Sequence, residues 1–191
     1  MTSTTIFGTG NMGSAIGDLL TSGGAEVQHL GSNDDVATIT GDVVVLAVPY
    51  GALADVVARY GDQLSGKTVV DITNPLDFAT FDGLTVPAGS SAAAELAQAL
   101  PGSAVLKAFN TTFAASLASR SVGPTTTTVL IAGDDADAKA ALAEMITAGG
   151  ADAVDAGSLK RAHELEALGF LQLTLAAGEK ISWTGGFALQ H

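Results

Sequence analysis

Short, near-continuous apolar runs such as "DVVVLAV" (42–48) and "TVVDI" (68–72) alternate along this chain with stretches of helical periodicity. Runs of this kind suit strands covered on both faces, because a strand with one wet face would alternate apolar and polar residues. Candidate strands are Thr4–Phe7, Ala25–Leu30, Asp42–Val48, Thr68–Thr73, Ala104–Phe109, Thr126–Ala132 and Ala153–Asp155, and candidate helices are Met12–Thr21, Ala52–Tyr60, Ala92–Leu100 and Asp135–Thr147. Strand and helix in turn imply right-handed βαβ units, so the expected fold is α/β, a doubly wound, mostly parallel Rossmann-type sheet.

Turn residues agree with this division. Gly23 and Gly24 stand where the first helix must stop, and "GDDAD" (133–137) places an Asp where it can cap a helix N-terminus. Leu76–Ser90 is the longest irregular stretch, expected as a surface loop. A single domain over residues 1–191 is expected, closing with a long helix at about 159–179 and a short tail. That helix turns apolar almost all round ("FLQLTLAA"), which points to burial or to a second subunit, so a homodimer is expected.

Between the first strand and the first helix lies "GTGNMG" (8–13), the spacing G-x-G-x-x-G. With 23 glycines in 191 residues, that spacing arises by chance about 0.3 times per chain, so the pattern alone is weak. Its position decides the matter. A dinucleotide needs one glycine for the tight turn, a second for backbone approach to the pyrophosphate and a third for close helix packing. Gly8, Gly10 and Gly13 occupy those places. The chain has no Lys or Arg before Arg59, so phosphate binding there would rest on backbone amides and the helix dipole.

Other polar motifs fall at the ends of successive candidate strands: "GSN" (31–33), "VPYG" (48–51), "TNP" (73–75) and "FNTT" (109–112). In an open α/β sheet, ligands bind beyond the carboxyl ends of the strands. No acid follows the second strand where an NAD enzyme would hold the ribose 2′-hydroxyl, so the cofactor reading leans to NADP, with NAD as the alternative.

Charge and composition exclude other classes. A net charge of −12 opposes nucleic acid and membrane surfaces alike. Zero cysteines remove disulfides, thiolate catalysis and Cys-held metals, and no metal site is expected. With no apolar run of spanning length and no leader pattern, a cytoplasmic protein is expected.

Together with "GTGNMG", the stretches "LGSN", "VLAVPY", "GKTVVDITNPL", "VLKAFNTT", "IAGDDADAK" and "DAGSLKRAHELEALG" resemble the NADP-dependent reductases of the deazaflavin coenzyme F420. They are also similar to the cytoplasmic reductase domain of the six-transmembrane metalloreductases. The resemblance runs over nearly the whole chain. It implies an NADP(H)-dependent oxidoreductase that exchanges a hydride with a flavin or deazaflavin, a small-molecule redox partner. By position it implies that Gly8, Thr9, Gly10, Asn11, Met12 and Gly13 hold the pyrophosphate and that Ser32 and Asn33 meet the 2′-phosphate. Ala47, Val48, Pro49 and Tyr50 would line the middle of the cofactor, and Thr73, Asn74, Pro75, Phe109 and Asn110 the nicotinamide. The chain departs from the family in having Asn33 where a basic residue is common, and in the short "DDVATIT" after the second strand.

Neither the motifs nor the resemblance names a catalytic acid or base. His163 reads as a surface or interface histidine, His29 as a strand-end residue and Lys107, in an apolar strand, as needing a carboxylate partner or a strand-edge location. Two further readings remain: a non-catalytic NAD(P)-binding redox sensor, and a reductase or dehydrogenase of a small imine or hydroxy acid.

Overall fold

In each of the first strands, successive apolar residues go to opposite faces of one sheet and reach two separate cores. Ile6, Val45, Val70 and Leu106 join one core, while Phe7, Val44, Val69 and Val105 join the other. This is the two-sided burial that continuous apolar runs require. The computed structural model describes residues 3–31 and 36–190.

In chain order the elements are β1 (Ser3–Phe7), α1 (Asn11–Ser22), β2 (Glu26–Leu30), β3 (Val43–Leu46), α2 (Leu53–Leu64), β4 (Thr68–Asp71), α3 (Ala92–Ala99), β5 (Ala104–Lys107), α4 (Ala114–Ser119), β6 (Ser121–Val122), β7 (Thr125–Thr126), β8 (Thr128–Gly133), α5 (Ala136–Ala148), β9 (Asp152–Gly157) and α6 (Ala162–Ala177). Seven strands form the main sheet in the order β2-β1-β3-β4-β5-β8-β9, and β6 pairs with β7 alone. Helices α1, α4 and α5 contribute to the first core, and α2, α3 and the start of α6 to the second. The mostly parallel Rossmann-type architecture is as expected.

The register aligns the strand ends. Leu30, Phe7, Leu46, Asp71 and Lys107 are neighbours in one row across five parallel strands. The loops that follow them therefore leave the sheet at a common edge. The strand order reverses at β1, so the β1–α1 loop sits at the topological switch point.

Several boundaries differ from expectation, each for a local reason. The strand expected over Thr68–Thr73 ends at Asp71, whose Oδ1 accepts the Thr73 N–H at 2.8 Å and turns the chain. The one expected over Ala104–Phe109 ends at Lys107, and Phe109 takes φ +62°, which no strand tolerates. Ala47 and Val48 likewise leave the sheet before Pro49. The left-handed residue after α1 is Gly24 (φ +88°) and not Gly23 (φ −79°). Asp135 caps α5 as expected, accepting the Ala138 N–H at 2.9 Å. Strand β8 is antiparallel to β5, because the chain returns to the sheet through the short α4 and the β6–β7 hairpin, without a full helical crossover.

Candidate functional site

The glycines of the β1–α1 loop answer different demands. Gly8 holds φ +112°, and a Cβ there would collide with the carbonyl oxygen of Ala47 on β3's exit. A Cβ on Gly13 would collide with the Gly8 carbonyl oxygen, so the third glycine lets α1 press against the loop. Gly10 is under neither constraint: a Cβ would meet no protein atom within 4 Å. Only a group approaching from outside would need that space empty. Gly10 is also the N-cap of α1 and supplies no side chain to cap it. The first-turn amides are thus presented to open space at the positive end of the helix dipole, with no acid in the first turn to compete for them. This cradle fits the pyrophosphate of NADP, and Gly8 to Gly13 are the residues that would hold it. Ser32 and Asn33 lie outside the described residues.

Ala47 and Val48 run half-buried along the same edge to the exposed Pro49. Tyr50 turns away from the glycine loop: its hydroxyl donates to Glu95 Oε2 at 2.7 Å, and its side chain lines a groove between α2 and α3. The Glu95 hydrogen bond, followed by burial, pushes the Tyr50 hydroxyl up to about 12.

Beyond β4 and β5 two asparagines interlock. Asn74 Nδ2 donates to the Asn110 carbonyl and Asn110 Nδ2 to Asn74 Oδ1, each at 2.9 Å. Asn110 Nδ2 also donates to the Leu165 carbonyl of α6 at 2.8 Å. Phe109 keeps its left-handed backbone because the Thr112 N–H and hydroxyl both donate to its carbonyl, at 3.1 and 2.8 Å. Thr73 and Pro75 are buried beside them, and Thr73 takes part through its backbone.

A cavity of about 410 Å³ joins these parts. Asn11 and Met12 of α1 form one wall, with Ile72, Asn74, Phe109 and Asn110 as its base. Its far wall is Phe113 with Leu173 and Trp183, which none of the sequence motifs singles out. The cavity therefore brings Asn11, Met12, Asn74, Phe109 and Asn110 together, and Tyr50 does not line it. Among the described residues its lining carries no ionisable side chain.

Under the cavity's base lies a buried ion cluster. Lys107 Nζ is 2.9 Å from Asp71 Oδ2 and 2.7 Å from Glu166 Oε1, all three side chains being fully buried, and it also donates to the Thr73 carbonyl. Glu166 accepts the Ala92 N–H at 3.0 Å, at the start of α3. Burial raises the Glu166 carboxyl above its ordinary range, against the opposing pull of Lys107. The expectation of a carboxylate for Lys107 thus holds twice over, on an interior strand. No local pattern marks Asp71 and Glu166 as partners of Lys107, because they come from another strand and the last helix. His163 Nδ1 is 3.0 Å from the Ser90 carbonyl and does not line the cavity, and His29 packs its ring against Gly17 of α1.

Comparison with known proteins agrees with this geometry. The family described as NADP oxidoreductase, coenzyme F420-dependent, matches residues 25–75. An F420-dependent NADP reductase of Methanocaldococcus jannaschii is 30% identical over 172 residues, which span 88% of this chain and 77% of that protein. Metalloreductase STEAP3 of Rattus norvegicus is 38% identical over 109 residues, 56% of this chain and 21% of that much longer protein. A crystal structure of a candidate F420-dependent NADP-reductase from Arthrobacter sp. FB24 superposes with a TM-score of 0.82 at 24% identity, covering 98% of this chain and 99% of that one, and shows the shared fold. The chain belongs to the coenzyme F420-dependent NADP oxidoreductase family and is an NADP-dependent oxidoreductase.

Proposed function

We propose that the chain acts in the cytoplasm, as a homodimer, to pass a hydride between NADP(H) and a flavin or deazaflavin ring seated in the cavity beside Asn74 and Asn110. One observation carries this reading: among the described residues the cavity is lined by Asn11 and Met12 at the start of α1, by the asparagines beyond β4 and β5 and by aromatic side chains, with no ionisable group. A hydroxy acid or an imine reduced there would find no acid or base to move its proton and no counter-charge. A ring-to-ring transfer asks for orientation and exclusion of water, which apolar walls supply. Bound NADPH supplies the hydride, and one proton from water completes the reduction of the acceptor ring as NADP⁺ is left.

In this reading Gly8, Thr9, Gly10, Asn11, Met12 and Gly13 bind the pyrophosphate. Ser32 and Asn33 meet the 2′-phosphate, and Ala47, Val48, Pro49 and the backbone of Tyr50 flank the middle of the cofactor. Thr73, Asn74, Pro75, Phe109 and Asn110 surround the nicotinamide. The relative from Methanocaldococcus jannaschii, named for F420 and NADP, supports the choice of acceptor. The homodimer reading rests on the exposed Leu171 of α6 and the exposed Phe187 and Leu189 after it. Light scattering should return twice the chain mass.

The test of the function is direct. NADPH consumption is followed at its own absorbance band with coenzyme F420, FMN, FAD and riboflavin in turn, and repeated with NADH. Oxidation with at least one acceptor, faster with NADPH than NADH, is expected. No oxidation with any of them overturns the reading.

A further inference from the structure

We propose that Trp183 is the stacking wall for the acceptor ring, held at a fixed angle by Phe113. The inference rests on the hydride-transfer reading above and assigns the half of the cavity that the cofactor motifs do not reach.

The two ends of the cavity differ in kind. At one end stand Asn11, Met12, Asn74 and Asn110, all at the carboxyl edge of the sheet; at the other stands an aromatic pair. The Phe113 and Trp183 ring centroids are 5.0 Å apart at 54°, the tilted packing that aromatic quadrupoles favour. Trp183 nevertheless stays 51% exposed. An indole that lines a cavity and is half wet has apolar area left to bury, and a flat ring is the shape that buries it. With no ionisable group among the described residues of the lining, selection works through shape, stacking and neutral hydrogen bonds.

The wall is also pre-set. Trp183 sits in a turn closed by the Gly185 N–H donating to the Ser182 carbonyl at 2.9 Å. The turn is tied to α4 by Ser116 Oγ, which donates to the Gly185 carbonyl at 2.8 Å. It is tied to α6 by the Phe187 N–H, which donates to Gln172 Oε1 at 3.2 Å. Gln172 is itself buried. A platform anchored on both sides loses little freedom when a ring lands on it.

Trp183 is the only tryptophan of the chain, so its emission reports this site alone. FMN and coenzyme F420 are titrated into protein saturated with NADP⁺, which permits binding without turnover. Saturable quenching of Trp183 emission is expected with whichever of the two the wild-type protein reduces. Trp183→Ala should raise KM for that acceptor at least about tenfold, loss of stacking and burial together being worth that much. Its NADPH affinity by calorimetry and its melting temperature should stay close to wild type, and Trp183→Phe should recover most of the loss. An unchanged acceptor KM in Trp183→Ala, or emission indifferent to saturating acceptor, overturns the inference while leaving the function standing. If the wild-type protein oxidises NADPH with neither coenzyme F420 nor any of the flavins, the function reading fails and this inference goes with it.

Discussion

Lys107 Nζ on β5 lies 2.7 Å from Glu166 Oε1 on α6, and neither side chain has any exposed surface. Asp71, on the neighbouring strand, is the second carboxylate on the same ammonium. The cluster carries one positive charge against two carboxylates, under the base of the cavity. Together with the hydrogen bond from Asn110 to the Leu165 carbonyl, it ties α6 to β4, β5 and the start of α3.

Removing the cation should therefore cost more than it would on the surface. Lys107→Met keeps the volume and leaves Asp71 and Glu166 buried without a counter-charge, and it also strips the Thr73 carbonyl of its donor. A loss of about 3–5 kcal/mol in urea unfolding is expected. The defect should shrink as pH is lowered, because protonating a carboxylate removes the unpaired charge. A loss below about 1 kcal/mol, the range of exposed pairs, would contradict the geometry.

Glu166 gives the cluster a pH signature of definite sign. Burial raises its folded-state value above the 4.5 of an unfolded glutamate. Between those two values the unfolded chain has released the proton and the folded chain has kept it, so rising pH favours unfolding. The stability contributed by this group is complete below about 4.5 and is lost as pH climbs through the folded value. Glu166→Gln does not titrate there. The wild-type melting temperature minus that of the variant should fall across this window and then level off. A difference that rises with pH would mean that ion pairing, and not burial, controls Glu166.

Much of this arrangement is legible in the sequence, and what is not has physical causes. Continuous apolar runs announce a sheet covered on both faces, and "GTGNMG" between strand and helix announces the cradle, because both are local patterns. The need of Lys107 for a carboxylate is also legible, but its partners lie on another strand and on the last helix, and only the three-dimensional path brings them there. The antiparallel β8 is hidden for a similar reason: α4 is six residues long and looks like loop, so the run at 126–132 passes for one more parallel strand. Trp183 stands among Gly, Ser and Thr in "ISWTGGFALQH", and no periodicity there points back to Phe113.

The glycine loop separates folding from binding within a few residues. Gly10→Val projects into space that no protein atom occupies, so the variant should melt within about 5 °C of wild type, as a change near 1 kcal/mol would allow. It should nevertheless lose at least about 100-fold in NADPH affinity, because the new side chain fills the approach to the α1 amides. Gly13→Val provides the contrast. Its Cβ would run into the Gly8 carbonyl oxygen, so stability and binding should fall together. Calorimetry and thermal melts on the two variants make the comparison, and retained NADPH affinity in Gly10→Val would remove the cradle assignment.

Gly169 puts the interlocked asparagines to the test from behind. It lies in α6, where replacing glycine by alanine ordinarily stabilises a helix by about 0.5–1 kcal/mol. Here the added Cβ would collide with Asn74 Oδ1 and stand 2.9 Å from the Asn110 carbonyl oxygen. The helix can accept the methyl group only if Asn74 gives up its place. That movement breaks the hydrogen bond from Asn110 Nδ2 and shifts the base of the cavity, while the glycine loop stays as it is. Gly169→Ala should therefore keep NADPH affinity within about twofold and lower kcat at least about tenfold, since small displacements at a reacting centre carry such penalties. A variant that is more stable and fully active would show that the Asn74–Asn110 pair does not position the reacting ring.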